Sequence, residues 1–272
     1  MPTLLPRFFL SCWGNRLSML EAIEKAAAWG FDGIEGPIPT TVDSQDEVAN
    51  LLGEEHLPWI AEVVTGGGYV PRPGGSVSQH LDDLERALDG GISEMGPMKV
   101  NIMGGSDAWV FKEALAFYEG GLALGQSRGL QLVWETHRSR PTFSPWQTRA
   151  LLEELPEIRL TGDFSHWCVV CERLVLDELP EFLELLAARC DHLHLRLGYA
   201  QGPQLPDPAS SEDDVLEAHW RWWARILEEG RVQTLTPEFG PDGYLQPGTR
   251  EQDLTILNRW MAECVRGRLT QG

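Results

Sequence analysis

Short apolar runs alternate along this chain with longer segments whose apolar positions recur every three or four residues, the pattern of β-strands each followed by a helix. Phe8 to Gly14 predicts a first strand, and Leu17, Leu20, Ile23, Ala26 and Ala27 predict one face of a helix that stops at Gly30. Phe31 to Gly36 is a second strand ending near Glu35, with a short helix from Val42 to Leu52 after it. Leu57 to Val64 is a third strand, closed by a loop at Gly66-Gly67-Gly68 and followed by a helix from Val77 to Leu88 that holds His80 as a structural residue. Met98 to Gly105 is a fourth strand, and Ser106 with Asp107 is placed to cap the helix that runs to Ser127.

The second half repeats the pattern. Leu130 to Glu135 is strand five, and its helix ends at Glu154-Leu155-Pro156. Ile158 to Asp163 is strand six, with a helix from Leu174 to Ala188 interrupted by Pro180. Asp191 to Arg196 is strand seven, followed by a Pro- and Gly-rich loop to Ser210 whose length suits an active-site cover. Ser210, with Asp213 three residues on, opens a helix carrying His219, Trp220 and Trp223 as packing residues. Thr234 to Phe239 is strand eight, and a loop to Gly248 precedes a helix from Glu251 to Val265. Eight such units in one chain of 272 residues predict a single α/β domain, residues 1–272, folded as a (β/α)8 TIM barrel.

A barrel of this kind builds its site at the carboxyl ends of its strands. Four predicted strands end in chemistry-bearing residues: Glu135, then Asp163 with His166, then His192 and His194, then Glu238. Carboxylate and imidazole donors without thiolate suit one divalent metal ion, and the excess of oxygen favours Mn²⁺ or Mg²⁺ over Zn²⁺ or Co²⁺. Such a site polarises a carbonyl and hydroxyl pair while a carboxylate moves a proton through an enediolate. Glu35 ends the second strand close enough to reach the same pocket or to support its mouth.

Composition narrows the partners. The formal net charge of -19 argues against a nucleic acid, which needs dense Lys and Arg. No run approaches the roughly 18 apolar residues of a membrane span, and the amino terminus lacks a leader pattern. The five cysteines have no framework spacing, as for thiols of the reducing cytoplasm, and the pair Cys168 and Cys171 reads as ordinary helix-start residues.

Taken in strand order, Glu, Asp-x-x-His, His-x-His and Glu resemble the xylose isomerase-like TIM-barrel superfamily, in its sugar-phosphate isomerase/epimerase branch. The resemblance implies Glu135, Asp163, His194 and Glu238 as metal ligands, with Glu135 and Glu238 also the acid/base pair. It implies His166 on the substrate oxygens, and His194, nearer the strand end, as the ligand in preference to His192. Arg196 is the nearest match to an arginine that the family places further on, and His137, Trp13 and Trp167 are expected around a small sugar-like substrate, while Trp109 and Trp134 are expected to pack. The extra histidines of the endonuclease branch are missing from Val63 to Gly68, Ile102 to Gly105 and Pro206 to Ala209. The resemblance therefore implies a metal-dependent isomerase or epimerase, with a dehydratase or a non-catalytic sugar- or metal-binding barrel as alternatives, and barrels of this family often associate as homo-oligomers.

Overall fold

The computed structural model describes residues 5–206, 208, 213–241, 244 and 253–271. Eight parallel strands close into a barrel in chain order: β1 (Arg7–Ser11), β2 (Gly33–Pro37), β3 (Trp59–Val64), β4 (Lys99–Met103), β5 (Leu132–Glu135), β6 (Leu160–Gly162), β7 (Cys190–Leu195) and β8 (Thr234–Pro237). The ring shuts where Arg7 and Phe8 of β1 pair with Thr234 and Leu235 of β8. The fold is the expected (β/α)8 barrel.

Side chains alternate across each strand, so one set points to the helices and the other into the barrel. The outward set, including Ile34, Val100, Trp134, Leu193 and Leu235, builds the apolar core against the helices. Trp134 sits edge-on to Tyr118 and Phe117 of the helix Phe111–Arg128, and Trp109 packs on His80, as the sequence suggested. The inward set is largely polar: Glu35, Glu62, Lys99, Asn101, His192, His194 and Thr236 are all buried, beside the apolar Phe9, Ile60 and Val133.

Several boundaries differ from expectation for local reasons. β1 stops at Ser11 because the Ser11 hydroxyl accepts from Gly14 N–H and starts a one-turn helix, Cys12–Asn15. Ser106 and Asp107 do not cap the next long helix. The Ser106 hydroxyl closes a turn on Ala108 N–H, and the helix starts at Phe111 with the Glu113 carboxylate accepting from Val110 N–H. Asp163 feeds directly into a short helix, Ser165–Val170, which carries Cys168, and Pro180 begins the helix Pro180–Ala187 instead of interrupting one. The expected cap at Ser210 and most of the loop before the last helix, Asp253–Gln271, lie outside the described residues. No described helix is long and apolar enough to cross a membrane, and the five cysteines are free thiols.

Candidate metal centre and active site

Inside the barrel the polar side chains form a connected column. At its amino-terminal end Lys99 Nζ donates to Asp191 O at 2.7 Å and to Thr234 Oγ1 at 3.1 Å, and burial pushes its pKa down to about 8. Thr234 Oγ1 lies 2.8 Å from His192 Nδ1, and His192 Nε2 lies 3.0 Å from Glu35 Oε2. The other Glu35 oxygen is 3.1 Å from both His194 Nε2 and Asn101 Nδ2. Burial works against ionising Glu35, but His194 and His192 outweigh it and hold its pKa well below the ordinary carboxyl value. Glu35 thus supports the site from below, the second of the two roles its strand position allowed.

With Nε2 turned to Glu35, His194 aims Nδ1 at the mouth of the barrel. That nitrogen forms an ion pair with Glu238 Oε2 at 3.1 Å and stands 3.9 Å from Glu135 Oε2. Burial lowers the basicity of His194, but Glu238 and Glu35 reverse this and raise its pKa well above the usual value. Burial is also the main cause that pushes Glu135 up to about 8, with Glu238 and Asp163 adding to it. Glu135, Asp163, His194 and Glu238 bring one donor atom each within 4.8 Å of one another, all buried. A closed set of three carboxylates and one imidazole, whose Nδ1 proton a metal ion would displace, fits a divalent cation.

Two other groups meet the same distance limit. Glu35, His192 and His194 spend their donors and acceptors on each other, and Glu135, His137 and His166 form a three-residue set beside the first. The His137 and His166 rings meet at a tilt of 55° with centres 4.1 Å apart. His137 Nδ1 lies 2.9 Å from Ser139 Oγ, and His166 Nε2 lies 2.8 Å from Arg196 Nη2. Burial, then the neighbouring histidine and arginine charges, hold His166 well below its ordinary pKa. It is therefore neutral, and accepting from Arg196 leaves the hydrogen on Nδ1, which has no partner.

The backbone that delivers these groups is fixed locally. Thr136 Oγ1 bonds both Asp163 N and Asp163 O at 2.8 Å, tying the end of β5 to the end of β6. Thr142 Oγ1 donates to Glu135 O at 2.6 Å. Arg196 lies over the site: its guanidinium is paired with Asp163, donates to Ser165 Oγ at 3.0 Å, and stands 3.7 Å from Glu238. That guanidinium also lies against Tyr244 and Trp13, with ring centres at 4.8 and 5.7 Å.

Trp13, Tyr69 and Tyr244 wall the mouth, Trp13 standing 5.8 Å from Tyr69 and 5.3 Å from Tyr244. Gly240 makes this possible, because a Cβ there would fall 1.9 Å from the Trp13 ring. The space directly over Glu135 and Glu238 is only about 10 Å³. It adjoins a cavity of about 300 Å³ bounded by Trp13, Tyr69, Cys12, Arg16 and Glu62. Trp167 does not reach either space. It is fully buried behind the strand ends, packed on Phe164 and Phe182, with its indole N–H on Thr142 O, so the expectation that it walls the pocket is corrected.

Glu62, Asn101, Tyr69, Tyr244 and Arg140 were not singled out from the sequence. Glu62 and Asn101 had a signal, since each is a polar residue inside an apolar run at the inward-facing parity of its strand. Burial, then Glu35 and Glu238, raise the Glu62 pKa well above the usual carboxyl value, so it is a neutral acid facing the cavity.

No protein-family model matches the sequence, and no curated protein matches it. Solved structures do. The IolI protein with a bound zinc atom is similar over 95% of this chain and 97% of its own, at 13% identity and a TM-score of 0.69. The 3-keto-D-glucoside 4-epimerase YcjR from E. coli is similar over 95% and 100%, at 16% identity and a TM-score of 0.64. A xylose isomerase-like TIM-barrel protein from Mycobacterium smegmatis, in complex with magnesium, is similar over 95% and 96%, at 14% identity and a TM-score of 0.60. Matching structures also include an AP endonuclease of family 2 from Brucella melitensis and a probable 3-DHS dehydratase from Bacillus anthracis. The chain has the fold of the xylose isomerase-like TIM barrels.

Proposed function

We propose that the protein is a divalent-metal-dependent isomerase or epimerase of a small polyhydroxy carbonyl compound. The observation that carries this reading is the buried group of Glu135, Asp163, His194 and Glu238, at strand ends where a barrel places its site, with His194 Nδ1 turned into it. The epimerase among the similar structures supports the reaction class, and the zinc- and magnesium-bound ones support the ion. These four residues hold the ion, with Mn²⁺ or Mg²⁺ favoured by the oxygen donors and Zn²⁺ or Co²⁺ as substitutes. When bound, it supplies polarisation of the substrate's carbonyl and adjacent hydroxyl.

The protein's own groups do the rest. One of Glu135 and Glu238 takes the proton next to the carbonyl, and the other returns one from its own side. His166 offers its free Nδ1–H to a substrate oxygen, while Arg196 Nη1, buried and without a hydrogen bond, 3.7 Å from Glu238, offers another donor. His137 lines the same narrow space, and Trp13 gives an apolar wall to a sugar face. The substrate is a small molecule, not a nucleic acid, in keeping with the -19 formal charge. Five free thiols, four of them buried, suit a reducing compartment such as the cytoplasm.

A dehydratase on the same barrel is the second reading, and Glu62 favours it: a neutral carboxylic acid beside the site can protonate a departing β-hydroxyl. The test is deuterium exchange. Protein loaded with Mn²⁺ is incubated in D2O with a panel of ketoses and cyclitol ketones, and substrate protons and ultraviolet absorbance are followed. Wash-out of one α-proton without new absorbance supports the isomerase, a rising enone absorbance supports the dehydratase, and neither change with any compound refutes both.

A further inference from the structure

Behind the loop that joins β3 to the helix Val77–Asp89 lies a second cavity of about 400 Å³, away from the metal centre. At its floor is His80, fully buried. Its Nδ1 is 2.7 Å from Thr65 Oγ1, and that oxygen accepts from Gly105 N–H at 3.2 Å, which leaves the threonine hydrogen to point at Nδ1. The ring is neutral, since burial and Arg140 lower its pKa, so the ring hydrogen is on Nε2. Nε2–H has no partner. A buried donor without an acceptor is costly, and one that persists calls for an acceptor that comes from outside.

Two glycines stand before this nitrogen. A Cβ on Gly66 would fall 2.7 Å from Nε2, and one on Gly75 would fall 2.8 Å from it. Gly66 has a positive φ of +76°, which accounts for glycine there. Gly75 has no such backbone, so its missing side chain is what lets the chain pass this close to His80 without covering Nε2.

The rest of the lining adds donors. Arg72 is exposed at the rim and makes no ion pair among the described residues, and Gln79 sits in the first turn of the 13-residue helix. Of the two carboxylates present, Asp83 is spent on Gly66 N–H and Arg86, both at 2.9 Å, while Asp82 is exposed to solvent. What this cavity lacks is an oxygen acceptor for His80 and Arg72.

We propose that the cavity binds a small oxyanion, the carboxylate or phosphate group of a metabolite, with one oxygen on His80 Nε2–H and the others on Arg72. The opposite face of the same loop supplies Tyr69 to the catalytic mouth, and Tyr69 O is held by Ser139 and Arg140. An anion behind the loop therefore bears on the residue that walls the active site. The site stands independently of the metal chemistry proposed above.

The test uses the full chain in metal-free and Mn²⁺-loaded or, for spectra, Zn²⁺-loaded form. Inorganic phosphate and acetate are titrated separately at ionic strength held constant with NaCl, following the His80 ring nitrogens and Nε2–H by NMR. A saturable shift of Nε2–H is expected, weakened roughly tenfold by Arg72→Ala and abolished by Gly75→Ala, with circular dichroism unchanged in both. Response to phosphate alone, acetate alone or both identifies the group recognised. No saturable shift with either anion, or a shift untouched by both substitutions, overturns the proposal and leaves an ordered water on His80.

Discussion

Glu35 decides which nitrogen of His194 is free, and two substitutions separate that role from simple burial of a charge. In Glu35→Met both His194 Nε2–H and His192 Nε2–H lose their acceptor. His194 then gains by moving its hydrogen to Nδ1, where Glu238 Oε2 waits at 3.1 Å. That move consumes the lone pair the metal needs, and recovering it strands a buried Nε2–H. Removing the group that orients a ligating imidazole costs about 10–100-fold in metal affinity, about 1.4–2.8 kcal/mol.

Glu35→Gln behaves differently. Its amide NH₂ can be turned to His192, which answers by shifting its own hydrogen to Nδ1 and donating to Thr234 O at 2.9 Å. The glutamine oxygen then still accepts from His194, and affinity stays within about threefold, about 0.6 kcal/mol. The assay is calorimetric titration of Zn²⁺ into chelator-treated protein, with thermal melting to confirm that each variant is folded. Wild-type affinity in Glu35→Met, or equal losses in both variants, would refute this account of the tautomer.

Other outcomes follow from the same coordinates. Glu135→Gln should bind metal and lower turnover about 10²–10⁴-fold, the usual contribution of a positioned proton carrier; unchanged turnover would remove Glu135 from the proton transfer. Arg140 is fully buried and donates to the carbonyls of Thr65, Gly68, Tyr69 and Gly105, so Arg140→Ala should cost about 3 kcal/mol or more, read from the urea midpoint at constant slope. His219 is held neutral by burial, with its pKa lowered from 6.5 to about 4. Because the folded value is the lower one, its stabilisation is full above pH 6.5 and lost as pH falls towards 4, by about 3 kcal/mol in all. His219→Gln should flatten that part of the stability profile, and a profile unchanged by the substitution would show that another group sets it.

The barrel was legible because parallel strands buried on both faces read as short apolar runs, and each run here is followed by helical spacing. Strand-end residues were legible for the same reason: Glu135, Asp163, His194 and Glu238 stand where an apolar run breaks into charge. Trp167 was misread because its place after Asp163 suggested the rim, while the helix Ser165–Val170 turns its indole away into the core. The Ser106 and Asp107 cap failed because a nearer competitor, Glu113, reaches back to Val110 N–H. Tyr69, Tyr244 and Arg140 had no sequence signal. They act from loops, and their places depend on contacts such as Arg140 with Gly68 that join residues 72 positions apart.

The interior of the barrel accounts for why these loops and strands must agree. Apolar packing lies outside the sheet, so the inside is free to be polar, but every buried charge there needs a partner. Lys99 begins the column on backbone and hydroxyl oxygens, Glu35 collects three N–H groups in its middle, and Arg196 closes it over Asp163. With Glu135 ionised, as a metal ligand must be, Glu35, Glu135, Asp163 and Glu238 are four carboxylates facing the side chains of Lys99 and Arg196. In the metal-free site the raised pKa values of Glu135 and His194 place the balancing protons on these two groups, which meet at His194 Nδ1. A divalent ion at that point takes the place of both protons and binds the freed nitrogen, so the same placement satisfies the electrostatics of the column and the hydrogen-bond account of its histidine.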